Sequence, residues 1–276
     1  MRTIYVCKDS LEGIFSAVYD AWKAKETEES CGIGIRGSVE QQLFCEYVEV
    51  SETSAKAAAV ERMIVKNLGG QAHHDLVYAT LSAAPDKGDA VLGAMLAAKK
   101  LPDSRRMMEH LSHPKVERVF ELSRTVANEA HATLEFLRFR ELENGILYAP
   151  VTPRCQVLSC IAPHFADRFP LENWMIHDKT HHVLAVHERK KQWILVQEEL
   201  AQRDAVQSSR SAESHAEEGT AQDWFGNFSE AEKEYAVLWK SFCNTIAIPE
   251  RKNPVCQRGH LPLRYRPDMT EFQTNR

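Results

Sequence analysis

Residues 162–178, APHFADRFPLENWMIHD, place two histidines, two aspartates, an arginine and a tryptophan close together. His164 with Asp167 has the make-up of an acid–base pair, in which a carboxylate orients an imidazole that moves a proton. Arg168 offers a fork for an anion, and Trp174 a flat face for a base. The alternative is a polar turn whose aspartates cap the backbone. Further upstream, Arg124, Asn128 and His131 recur at i, i+4 and i+7 and share one helix face. His131 is a second candidate acid–base group there. Arg138 and Arg140 alternate with Leu137 and Phe139, so they share one face of a strand. They can grip a phosphodiester or pair with a neighbouring carboxylate. Near the end of the chain Arg251, Lys252, Arg258 and Arg264 surround Tyr265, a mixture suited to a phosphate backbone and a stacked base.

Two other patterns carry less. GIGIRG, residues 32–37, spells the dinucleotide fingerprint. That chemistry needs a strand before the glycines and a helix opening among them. Here a helical pattern precedes and an extended run follows, so a glycine-containing strand is expected. His164, His177, His181, His182 and His187 fall within one stretch, but no HExxH or paired CxxC accompanies them, and no metal site is predicted.

The chain has 276 residues and a net charge of −5. Any nucleic-acid contact must therefore come from a local basic patch. Seven cysteines at wide spacing, without CxxC, fit reduced thiols. The first residues resemble a short strand rather than a signal peptide, and no apolar run approaches the roughly 20 residues of a membrane span. The expectation is a soluble cytoplasmic protein without a cofactor.

The elements that must position these groups follow from periodicity. Residues 3–7, 32–36 and 43–50 read as strands. Asp9 and Ser10 cap a helix carrying Leu11, Ile14, Phe15, Val18 and Trp22. Residues 51–132 read as several helices. After Phe136 the period becomes two, Asn144-Gly145 supplies a tight hairpin turn, and strands are expected at 155–161, 173–178, 183–188 and 192–198. Residues 199–228 are polar and acidic, and residues 201–222 are expected to be dispensable for folding. Ser229 with Glu232 opens a final helix whose apolar stripe is Tyr235, Leu238, Trp239 and Phe242. The expected class is α+β: a helical N-terminal half, an antiparallel β meander, then a C-terminal helix with a basic tail. Residues 1–82 would form an N-terminal α/β region and residues 83–276 the main domain.

Three stretches carry a resemblance. ANEAHATLEFLRFREL at 127–142, IAPHFADRFPLENWMIHD at 161–178 and LWKSFCNTIAIPERKNPVCQRGHLPLRYRPDMTEF at 238–272 resemble the bacterial family labelled "probable DNA metabolism protein", which contains a domain of unknown function. The resemblance spans nearly the whole chain. It implies a role in DNA repair or metabolism, beside a radical SAM protein of DNA modification or repair. It also implies kinship with chains in which the domain is joined to a uracil-DNA glycosylase-like domain. The shared pattern includes His131, Arg138, Arg140, His164, Asp167, Arg168, Trp174, Arg251, Arg264 and Tyr265, but not His177, His181, His182 or His187. This chain departs from it with Glu135 where glycine is common and with Arg266-Pro267 after the tyrosine.

Three functions follow as expectations. The first is a non-catalytic accessory that docks DNA or a radical SAM partner. The second is an enzyme on nucleic acid, with His131 or His164 and Asp167 as acid–base groups. The third is a scaffold whose polar motifs are internal salt bridges. The enzyme requires His131, Arg138, His164 and Asp167 to converge on one open cleft.

Overall fold

The computed structural model describes residues 2–200 and 226–273. The expectation for 201–222 lies outside the described residues. Two compact units divide the chain, residues 1–128 and 129–276.

The first unit is built on three strands, β1 (Arg2–Cys7), β2 (Cys31–Ile35) and β3 (Cys45–Glu49). They are parallel, with β1 in the centre. Helix α1 (Leu11–Lys23) makes the crossover from β1 to β2, and α2 (Ser54–Asn67), α3 (Gly69–Thr80) and α4 (Lys87–Ala98) complete the unit with the first part of α5 (Pro114–Phe136). Ser10 caps α1, its Oγ accepting from the Gly13 N–H at 3.0 Å. Ile14, Phe15 and Val18 of α1 join Ile33 and Ile35 of β2 and Val91 and Met95 of α4 in one core. All of β2 is buried, as a strand covered by helices must be.

The glycines of β2 serve that packing rather than a phosphate. A Cβ on Gly34 would lie 2.6 Å from Val39 Cγ2, and one on Gly88 of α4 would lie 2.6 Å from Ile33 Cγ2. Helix and loop close onto the strand because no side chain stands between them. Gly34→Ala is expected to cost about 1–3 kcal/mol through overpacking, read by urea unfolding. A neutral substitution, or a dinucleotide that raises the melting temperature, would contradict this role.

The second unit holds a five-stranded sheet in the order β4 (Arg140–Glu141), β5 (Leu147–Val151), β6 (Trp174–Asp178), β7 (Val183–His187), β8 (Ile194–Gln197). The hairpin predicted at Asn144-Gly145 joins β4 to β5. Gly145 has φ +78, and the Ile146 N–H donates to Asn144 Oδ1 at 3.1 Å. The rest is not a simple meander. β5 and β6 are parallel, and the apolar run expected as a strand at 155–161 instead enters helix α6 (Leu158–Arg168), which makes the crossover. Ile161, Ala162 and Phe165 are the buried face of α6. The chain is thus mixed α and β with mixed sheets, and both units contain a parallel β–α–β crossover. Two later helices follow, α7 (Glu230–Thr245) and the short α8 (Pro254–His260). No helix among the described residues is long and apolar enough to cross a membrane.

Candidate nucleic-acid interface

Glu129 is the polar centre of the second unit. It stands on α5 with 5% exposure. Its carboxylate accepts from the Arg154 N–H at 3.1 Å and the Cys155 N–H at 2.8 Å, and it meets Arg264 Nη1 at 3.1 Å. A buried carboxylate persists only when its lone pairs are matched, and two amides and a guanidinium do so here. Glu129 thereby ties the turn before α6 to the C-terminal tail. Tyr265 follows, half-buried, with its ring 5.1 Å from Phe136 and the Arg264 guanidinium 4.7 Å above it.

Only Arg140 lies in β4; Arg138 and Phe139 stand in the short irregular stretch between α5 and β4. Phe139 enters an aromatic core, 5.1 Å from Phe165, 5.7 Å from Phe169 and 6.2 Å from Trp174 between ring centres. Arg138 binds Glu271 at 3.1 Å. Arg140 binds Glu232 at 3.0 Å and Gln273 at 3.2 Å and lies 3.5 Å over the Phe228 ring. The pair therefore grips carboxylates of its own chain, fixing the tail and the first turn of α7. A phosphodiester would have to displace Glu232 from Arg140, whose side chain is only 13% exposed.

Trp174 is corrected outright. It has no exposed surface, and its indole stacks at 5.0 Å on His187, its cross-strand partner. No base can reach it. His164, Asp167 and Arg168 are exposed along α6, and none has a hydrogen bond or ion pair among the described residues. His131 is exposed and meets Glu135 at 3.1 Å, a carboxylate rather than the expected arginines. No polar contact joins His131 to His164 or Asp167, or His164 to Asp167. The three motifs do meet in space, through the Phe139 aromatic cluster and the Glu129 and Arg138 ion pairs, and the meeting is largely packed interior.

His177 of β6 and His182 of the following turn form a network with Tyr148 and Glu198 that the sequence did not reveal. His177, not His187, joins it, because the register sets His187 opposite Trp174 and His177 opposite Leu184. Tyr148 Oη lies 3.0 Å from His177 Nδ1, His177 Nε2 lies 3.6 Å from Glu198 Oε2, and His182 Nδ1 lies 2.7 Å from the same oxygen. His181 Nδ1 and two backbone amides bind Asp178 in a tight turn. Among the described residues no group of three or more His, Cys, Asp or Glu could hold a metal ion. Burial lowers the pKa of His177, outweighing the nearby Glu198 charge. Glu198 is raised by its own desolvation but held below its usual value on balance by His182 and His177.

Both shifts have one sign for stability. A histidine with a depressed folded pKa is stabilising while neutral, so stability falls as pH drops below its unfolded value of about 6.5. The depressed carboxylate adds a loss below about 4.3. The melting temperature should therefore fall between about pH 7.5 and 5.5, and His177→Gln should flatten that fall. An equally steep decline in the variant would remove His177 from the account.

The exposed chemistry lies elsewhere. Between Tyr235 and Arg266 the chain carries six lysines and arginines against one acid, Glu250. Arg264 and Arg266 are used internally, Arg266 through the Leu261 carbonyl and the Phe272 ring. Arg251, Lys252 and Arg258 are exposed, and none has an ion pair among the described residues. Among the described residues Arg258 bonds only the Pro254 carbonyl, at 3.2 Å, and the Arg251 and Lys252 side chains make no hydrogen bond. These three retain their charge for an outside anion. The apolar stripe on α7 is exposed: the helix buries none of its residues.

A family model described as a domain of unknown function, DUF4130, matches residues 85–271. No curated protein matches the chain.

Proposed function

From the premise that the chain belongs to the family described as a domain of unknown function, DUF4130, we propose that it is a non-catalytic DNA-binding accessory in DNA repair or metabolism. The observation that carries this reading is the exposed cation set Arg251, Lys252 and Arg258, without an ion pair among the described residues, in a chain whose net charge is −5. Arg138, Arg140 and Arg264, by contrast, pair with carboxylates of their own chain. Unpaired cations grouped in one segment suit a polyanion. Phosphate contacts of this kind position a protein without reading sequence. The resemblance in the sequence supplies the biological setting and the partner, a radical SAM protein of DNA modification or repair.

That no polar contact joins His131, His164 and Asp167 among the described residues leans towards an accessory rather than an enzyme that acts on DNA. General acid–base catalysis needs groups within hydrogen-bond reach of one reacting centre. The test is DNA affinity as a function of salt, for the wild type and for a variant with Arg251, Lys252 and Arg258 replaced by alanine. Co-purification with the radical SAM protein, with and without DNA, tests the partnership.

A further inference from the structure

Helix α7 presents an unusual surface. Tyr235, Leu238, Trp239 and Phe242 recur at i, i+3, i+4 and i+7, so they form one stripe. They are 69%, 63%, 43% and 52% exposed. The Trp239 and Phe242 rings already lie nearly parallel, 5.7 Å apart with 26° between their planes. Beside them a groove of about 410 Å³ is bounded by Glu232, Tyr235, Ala236 and Trp239 on α7 and by Arg138, Phe139 and Thr270; Glu232 is held by Arg140. The chain then runs from α7 directly into the segment bearing Arg251, Lys252 and Arg258.

Resting on the DNA-binding reading, we propose that the aromatic face of α7 is a stacking platform for single-stranded DNA, with Trp239 and Phe242 receiving bases and the cations that follow receiving phosphates. A flat, half-exposed pair of rings extends its stack with any base, whatever the sequence. Duplex DNA cannot use it, because its bases are already stacked on one another. The cations that follow also disfavour a basic partner. The groove beside Tyr235 gives an unstacked base an apolar wall in Phe139 and a hydroxyl in Thr270.

The experiment uses the full chain, a fluorescein-labelled thymidine oligonucleotide, and a blunt duplex of the same length, read by anisotropy. Trp239→Ala and Phe242→Ala are each expected to weaken binding to the single strand about tenfold or more. Duplex binding should change less than about twofold, and the salt dependence should stay unchanged because no charge is lost. Trp239→Phe should retain most of the affinity. Because α7 buries none of its residues, these variants are expected to melt with the wild type. If the chain binds the oligonucleotide but Trp239→Ala and Phe242→Ala bind as the wild type does, the platform is wrong and the DNA-binding reading stands. If neither DNA binds at low salt, both fall. If the substitutions abolish self-association or binding to anionic phosphatidylserine vesicles while leaving DNA affinity intact, the stripe is a protein or membrane surface and the proposal is overturned.

Discussion

Trp174→Ala is expected to unfold the second unit. Trp174 has no exposed surface and packs between Phe139 and Phe165 on one side and His187 on the other. Removing a fully buried large aromatic costs about 3–5 kcal/mol, as lost transfer energy plus a cavity that rigid neighbours cannot fill. Against a total of about 5–15 kcal/mol for a typical domain, that is a large share of the whole. Trp174→Phe should be far milder, about 1–2 kcal/mol, because the indole Nε1 has no hydrogen-bond partner to lose. Thermal melts and urea titrations read both. The milder variant also isolates function. If it folds and binds DNA like the wild type, the tryptophan is a core residue. If it keeps its stability and loses DNA binding, the indole has a role outside the core.

The residues that were legible in the sequence are those whose signals are local. Ser10 before an amphipathic run, Asn144-Gly145 between alternating strands and Ser229 with Glu232 each specify a turn or cap within a few residues. Glu232 shows the limit of such reading: its N–H is capped by Ser229 as the motif predicts, yet its carboxylate is used by Arg140. Short apolar runs are ambiguous between strand and buried helix. CQVLSCI fell on the wrong side, and with it went the parallel β5–β6 pairing, which needs a helical crossover. The candidate site was less legible still. Arg138 with Glu271 and Glu129 with Arg264 join residues far apart in the chain, so nothing local marks those arginines as already satisfied. Trp174 looked like a stacking ring because polar residues surround it in sequence. Its strand alternation, with Ile176 inward beside it, is the signal that places it in the core. The stripe on α7 has helical spacing whether it faces a core or solvent, so periodicity alone could not show that it is exposed.

The most direct test of DNA binding through free cations is a salt series. Binding of a labelled single-stranded oligonucleotide is followed between roughly 50 and 200 mM salt for the wild type and for Arg251→Ala/Lys252→Ala/Arg258→Ala. Each phosphate contact to a single strand contributes about −0.7 to the slope of log affinity against log salt. Three contacts contribute about −2, so a fourfold rise in salt should weaken the wild type roughly fifteenfold to twentyfold more than the variant. All three side chains are exposed, so the substitutions should leave the fold intact. The account predicts weak, nearly salt-independent binding in the variant, alike across oligonucleotide sequences. A variant with the affinity and salt slope of the wild type would contradict it, as would a wild type that binds no DNA at low salt.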